Sequence, residues 1–274
     1  MKRFSVYFGL LLLAGGACQK KTVEPAACQF IITIANETYA YQFDTQGRVT
    51  SIAYRSASAD VDYKYAYQGK QATIDITYPR PGADWLWFHY DVTLNEQGYV
   101  STAQETMYNR LATGTVDEHL ITAHTCTYDT QGYLTTHHFE RYSYPYGMKP
   151  VTETQDARLI YQDGNPVMIT FSPTASGQTS PTVTMANKYG TQMNSLKMAF
   201  LLEANPFGFS PEKALQPLLG KPPRTLITSS DLKSATTSMT TTYTYQFNSS
   251  GQLIGVGRAG SSAPFSFLFE NTCP

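Results

Sequence analysis

Histidine and cysteine are the side chains of this sequence best suited to holding a metal ion, and three of them lie close together in the chain. His124 and Cys126 are two residues apart, and His138 follows after a turn that contains Gly132. If the flanking segments pair as a β-hairpin, His124, Cys126 and His138 could approach one another as zinc ligands. Their spacing matches no established metal pattern, which favours polar residues on the solvent face of a sheet. We therefore predict no cofactor.

Two tryptophans form a second candidate site. Residues two apart on a strand point to the same side, so Trp85 and Trp87 would present two rings together. Tyr90 follows closely, and aromatic rings of this kind bind sugar rings or a protein partner. Packing in the core is the alternative, because tryptophan is usually largely buried. The predicted ligand-binding residues are Trp85, Trp87 and Tyr90.

Paired carboxylates are the third chemical possibility. Glycoside hydrolysis uses two carboxyl groups about 5 to 10 Å apart, and Asp84 could be placed opposite Glu105 or Glu118 from neighbouring strands. The sequence contains no phosphate loop, dinucleotide fingerprint, zinc-protease helix or nucleophile elbow. A non-catalytic binding or structural module is therefore the prediction, with an envelope hydrolase acting on glycans as the alternative.

A recurring sequence phrase predicts the elements that position these residues. An aromatic strand is followed by an Asp or Asn turn that ends in Gly, and then by a second strand. The irregular spacing of the copies argues against a propeller or solenoid. We predict an all-β antiparallel hairpin meander, either an open twisted sheet or a sandwich. The full copies span residues 41–52, 90–100, 126–134 and 243–253.

One insert departs from the strand pattern. Residues 193–204 carry apolar side chains at helical spacing, and Ser210 followed by Pro211 indicates a second helix start. Pro217 and Gly220 would end that second piece. We predict a short helical insert at about 193–220 that covers an open end or face of the sheet.

Charge composition excludes one class of partner. The chain has 20 basic and 21 acidic residues, a formal charge of −1. A nucleic-acid partner is therefore not expected, because binding to phosphates needs a basic surface.

The N-terminal segment predicts an export signal. Lys2 and Arg3 precede an apolar run over residues 4–17, which is shorter than the about 20 residues of a membrane-spanning helix. Small residues then lead to Cys18, as at a bacterial lipoprotein cleavage site, where the cysteine receives lipid, including palmitate. We predict a signal peptide at 1–17, a polar tether at 18–27 and a single β-rich domain at 28–274. Two subdomains divided near 144–150 are the alternative, less favoured because the hairpin phrase recurs on both sides.

The other cysteines lie near the two ends and in the middle of this domain. Export to an oxidising compartment favours disulfides, and the ends of domains often lie close together. Cys28 and Cys273 are therefore predicted to pair. Cys126 is interpreted as a small buried hydrophobic residue.

The hairpin phrase, the Asp163-Gly164-Asn165 turn, the insert with Asn205-Pro206 and the closing hairpin at 243–253 follow a lipoprotein signal in that order. This arrangement resembles an uncharacterised family of Bacteroidota lipoproteins, domain of unknown function family 4595, from Cys28 to the C-terminus. Single hairpins also resemble tyrosine-aspartate repeats. The resemblance implies only an architecture and an outer-membrane address, on the periplasmic or cell-surface face, and it identifies no catalytic residue. The predicted partners are the membrane, through lipid on Cys18, and a glycan or an envelope protein.

Overall fold

The computed structural model describes residues 28–78, 86–110, 113–143, 151–175, 178–179, 181–195, 214–260 and 265–271. Over these ranges the chain forms strands and one turn of 3-10 helix, Gln216–Leu218, so the predicted all-β class is confirmed. The strands are β1 Cys28–Ile34, β2 Glu37–Phe43, β3 Val49–Arg55, β4 Asp60–Gln68, β5 Gln71–Thr77, β6 Leu86–Leu94, β7 Val100–Arg110, β8 Val116–Tyr128, β9 Leu134–Ser143, β10 Val151–Gln162, β11 Asn165–Ala175, β12 Gln178–Thr179, β13 Val183–Met193, β14 Thr225–Lys233, β15 Ser238–Phe247, β16 Leu253–Gly260 and β17 Phe265–Asn271.

Pairing between the first and last strands closes the sheet into an antiparallel barrel. Strand β1 pairs with both β2 and β17. The two-residue β12 pairs with one end of β11, and β11 also pairs with β13. Sixteen of the described strands form the ring. The predicted open sheet or sandwich is wrong. The seam joins Phe30 to Asn271, two residues at opposite ends of the domain that no local pattern in the sequence can relate.

The repeated turns lie at one end of the barrel, called here the turn end. In each, an Asp or Asn side-chain oxygen accepts hydrogen bonds from the backbone N–H groups two and four residues later, both at 2.9 Å in the turn of Asp129. A glycine three residues after that Asp or Asn has positive φ. The predicted hairpins are therefore confirmed. The four turns begin at Asp44, Asn95, Asp129 and Asn248.

Side chains alternate between an apolar interior and a polar outer wall. In β5, Ala72, Ile74 and Ile76 are buried, and the residues between them are Gln71, Thr73, Asp75 and Thr77. In β15, Tyr243 is buried while Thr240 and Thr242 are exposed. The inward residues form one continuous hydrophobic core. The interior at these positions is therefore filled with side chains.

A chain segment between β13 and β14 closes the turn end. Leu215 and Leu219 are fully buried, and the carbonyl of Ala214 accepts a 2.8 Å hydrogen bond from the Tyr65 hydroxyl. The N–H of Lys221 donates to the carbonyl of Gly132 at 3.0 Å. Burial and these bonds anchor residues 214–221 in the barrel end.

The predicted helical insert at 193–220 is only partly testable. Met193 is the last residue of β13 rather than the start of a helix, residues 196–213 lie outside the described ranges, and the described helical part is the Gln216–Leu218 turn. A β-pairing partner, Thr225, holds Met193 in the sheet, and tertiary pairing of this kind overrides local helical periodicity.

Inward tyrosines explain part of the high tyrosine count. Near the turn end, the hydroxyl of Tyr67 donates to the carbonyl of Val49, and that of Tyr128 donates to the carbonyl of Val100, each at 2.8 Å. Tyr245 donates in the same way to the carbonyl of Ile227. These rings fill the interior, and their hydroxyls bond backbone carbonyls at the start of an adjacent or nearby strand. They act as structural tyrosines.

Candidate functional site

A chain of four buried polar side chains lies inside the barrel on β7, β8 and β9. The hydroxyl of Thr122 donates to Glu105 at 2.5 Å. Because that proton is committed to Glu105, Nε2 of His124 donates to the Thr122 oxygen at 3.2 Å. Nδ1 of His124 then accepts from Nε2 of His137 at 3.1 Å. We call these residues the inner polar chain.

Both imidazoles of the inner polar chain are neutral near pH 7. Burial lowers the pKa of His124 to about 3, with His137 and Arg141 adding to the effect. Burial also lowers the pKa of His137 to about 4, with a further contribution from His138. A neutral ring suits His124 in this chain, since it donates from Nε2 and accepts at Nδ1.

The suggested zinc ligands do not converge. His124 and Cys126 face the interior, but the residue that pairs with Cys126 is His137, while His138 pairs with Thr125 on the outer face. His138 contacts Asp156 there, 2.8 Å from Nδ1. Within the described residues, no group of three or more His, Cys, Asp or Glu side chains is placed to hold a metal ion. Burial raises the pKa of Cys126 to about 12, so its thiol is protonated.

The outer wall carries an aromatic pair on β6 and β7. Trp87 and Tyr108 are paired across the two strands, with ring centroids 5.2 Å apart and planes 9° from parallel. The guanidinium carbon of Arg110 lies 5.9 Å from the centroid of the Trp87 ring, within the range of a cation–π contact. Both rings are half-buried, so each keeps a face or edge toward solvent.

A histidine flanked by two carboxylates adjoins this pair. Nδ1 of His89 lies 2.7 Å from Asp75 on β5, and Nε2 lies 3.4 Å from Asp91. Partial burial opposes the charged form of His89. Asp75 and then Asp91 outweigh that burial and raise the pKa of the imidazole.

A third carboxylate completes the group. Glu118 on β8 is opposite Tyr108. Desolvation, followed by the charges of Glu118, Asp91 and Asp75, raises the pKa of the Tyr108 hydroxyl, which places all three carboxylates in the electrostatic environment of one ring. The outer aromatic site is defined by Asp75, Trp87, His89, Asp91, Tyr108, Arg110 and Glu118.

The predicted ligand residues separate between the two faces. Trp87 belongs to the outer aromatic site, but Tyr90 is inward and fully buried. An odd and an even position of one strand cannot share a face, so Tyr90 is not part of a site with Trp87. Trp85 lies outside the described residues. The sequence analysis did not identify Tyr108 and His89. Alternation along β6 predicts that His89 shares a face with Trp87, and the hairpin register about Gly98 predicts that Tyr108 lies opposite Trp87.

Other predicted residues meet mixed outcomes. Glu105 is buried inside the barrel, and Asp84, its suggested partner, lies outside the described residues. Glu118 is on the outer wall.

Cys28 begins β1, but Cys273 and Cys18 lie outside the described residues, so both the disulfide and the lipidation remain predictions. Cys126 is a free, buried cysteine, as the sequence suggested.

The fold defines the chain as a closed antiparallel β-barrel, and two solved structures share it. One is a porin-like protein from Bacteroides uniformis, 16% identical, with a TM-score of 0.55 over 89% of this chain and 95% of that chain. The other is a porin-like protein from Bacteroides vulgatus, 8% identical, with a TM-score of 0.59 over 89% and 97%. No protein-family model and no curated protein matches the chain. At these identities the likeness establishes the fold alone.

The outer wall differs from the lipid-facing surface of a membrane-spanning barrel. Such barrels have an apolar outward band and a polar interior. Here outward positions carry side chains such as Asp62, Lys64, Asp91 and Lys188, and the interior is largely apolar.

Within the described ranges no helix is both long and apolar enough to cross a membrane.

Proposed function

We propose that this protein is a non-catalytic glycan-binding module held at the outer membrane by lipid on Cys18. The observation that carries the glycan assignment is the stacked Trp87–Tyr108 pair, which stands on the outer wall beside Asp75, Asp91 and Glu118. The exposed parts of the two rings provide contact area for the C–H groups of sugar rings. Carboxylates accept hydrogen bonds from sugar hydroxyls.

The geometry suits a rigid recognition surface. Both aromatic residues project from paired strands of a closed barrel, and sites on strands hold side chains more precisely than sites on loops. The Arg110 guanidinium over Trp87 and the contacts of His89 with two carboxylates restrict the surrounding side chains. Less conformational freedom is therefore lost when a ligand binds.

Lipid attachment is proposed from the N-terminal sequence and supported by the outer wall. Small residues precede Cys18, and the polar stretch 19–27 separates it from β1. Charged side chains on a lipid-facing wall would cost about 2 to 4 kcal/mol each for Arg or Lys at the bilayer midplane, so the wall is suited to water. An anchor on Cys18 would supply the membrane attachment. Loss of palmitate labelling in Cys18→Ser, with the protein still produced, tests this part.

Thermal melting of the mature domain against a glycan panel tests the binding function. The panel contains chitooligosaccharides, xylan, mannan and peptidoglycan fragments. A ligand at 100 times its dissociation constant stabilises the protein by about 2.7 kcal/mol, which raises the melting temperature. We expect Trp87→Ala to abolish that rise. The control Leu268→Ala removes another exposed apolar side chain, on β17, and should retain it.

Two other outcomes have distinct meanings. No shift with any glycan contradicts glycan binding for this panel and favours an envelope protein partner. Release of new reducing ends from a bound glycan would favour the envelope hydrolase instead.

A further inference from the structure

A second group of side chains on the outer wall resembles the outer aromatic site in its construction. On β9, His138 lies 2.8 Å from Asp156 on β10 and 3.6 Å from Glu140 two residues along its own strand. The hydroxyl of Tyr142 donates a hydrogen bond to Glu140. That bond lowers the pKa of Glu140, desolvation opposes it, and His138 lowers the pKa further, so the net shift is downward and the carboxylate is ionised at neutral pH.

The two groups follow the same local plan. His89 is directly opposite Asp75 on the adjacent strand and has Asp91 two residues later. His138 is directly opposite Asp156 and has Glu140 two residues later. Each group also includes a partly exposed tyrosine or tryptophan within a few residues of its histidine on the same strand. We call His138, Glu140, Tyr142 and Asp156 the second outer group.

The strand register connects the two groups in one row. Asp91 is opposite Gln104, Gln104 is opposite Ala123, and Ala123 is opposite Glu140. Three strand spacings separate Asp91 from Glu140, about 14 Å along the wall. The two intervening side chains are uncharged, and Ala123 is small, so a ligand can cross β7 and β8 without passing another charge in that row.

We propose that the second outer group is a further subsite for the same glycan, so that one oligosaccharide lies across β6 to β9 and contacts both Trp87 and Tyr142. This inference rests on the proposed function. The distance between the groups exceeds one sugar ring, so a short ligand occupies one group and a longer chain occupies both.

Charge indicates the kind of sugar chain. The two groups together contain Asp75, Asp91, Glu118, Glu140 and Asp156, with Arg110 as the fixed cation. Such a surface repels an acidic polysaccharide. It favours a neutral sugar with many donors, and an N-acetylated hexosamine offers hydroxyl and amide N–H donors to the carboxylates together with a ring face for the aromatic side chains.

Calorimetric titration with chitohexaose and chitobiose tests the second subsite. We expect the wild-type domain to bind the hexaose more tightly than the disaccharide. Tyr142→Ala should weaken hexaose binding about tenfold and leave disaccharide binding unchanged, whereas Trp87→Ala should weaken both. Tyr142→Phe keeps the ring and should retain most of the hexaose affinity. Circular dichroism verifies that each variant is folded.

The outcomes separate this inference from the proposed function. Equal affinity for the two ligands, or hexaose binding unchanged by Tyr142→Ala, overturns the second subsite while the Trp87 site stands. Failure of both chitooligosaccharides to bind overturns the second subsite. In that case, binding of another glycan from the panel that is sensitive to Trp87→Ala would still support the proposed function.

Discussion

His137 and His138 are consecutive residues in opposite environments. His137 belongs to the inner polar chain and is neutral because burial lowers its pKa to about 4. His138 faces the outer wall, where Asp156 and Glu140 lie beside it. His124 and His89 also lie on opposite faces: burial lowers the pKa of His124, and neighbouring carboxylates raise the pKa of His89. The face of the strand decides whether a histidine is buried and neutral or lies beside carboxylates on the outer wall.

The largest expected effect is acid sensitivity that originates in the interior. The folded-state pKa values of His124 and His137, about 3 and about 4, lie below the unfolded value of 6.5. The unfolded chain therefore takes up protons first, and stability present above pH 6.5 is lost as pH falls towards the folded pKa values. Between pH 6.5 and 5 we expect the free energy of unfolding to fall by about 3 kcal/mol in total.

Urea denaturation at a series of pH values measures this loss. The double variant His124→Gln/His137→Gln should lack most of the slope between pH 6.5 and 5 while His89→Gln should retain it. A wild-type protein as stable at pH 5 as at pH 7 would contradict neutral, buried histidines.

Two threonines of β8 sharpen the comparison between the two faces. Thr122 is inward and donates to Glu105, whereas Thr125 is outward and exposed. Thr122→Val leaves a buried carboxylate without this donor and should lower the free energy of unfolding by about 2 kcal/mol. The matched variant Thr125→Val should change it by less than about 0.5 kcal/mol. Equal losses in chemical denaturation would mean that the faces are not distinguished as described.

A change in the outer aromatic site should have the smallest effect on stability. Asp75→Asn removes the closer carboxylate of His89, so the pKa of His89 should fall. The free energy of unfolding should change by less than about 1 kcal/mol, because exposed ion pairs contribute little. NMR titration of the histidine ring protons measures the pKa, and the His124 resonance is the internal control. A His89 titration unaffected by the substitution would refute the contact.

Local chemistry explains why the hairpins were predictable. An Asp or Asn oxygen bonds the backbone N–H groups that follow it, and glycine takes up the positive φ, so each turn is specified by about five consecutive residues. Alternation was equally readable, and it already separated Trp87 from Tyr90. The candidate site was only partly predictable, since Tyr108 and Asp75 reach Trp87 and His89 through cross-strand register.

The sequence by itself determined the all-β class, the hairpin turns and the alternation of apolar and polar positions, because each depends on residues close in the chain. Only the tertiary structure decided that Phe30 meets Asn271 to close a barrel, and that His137 rather than His138 turns inward beside His124. The physical reason is register. A shift of one residue moves every side chain of a strand to the opposite face, and pairing between distant strands sets which face becomes the interior.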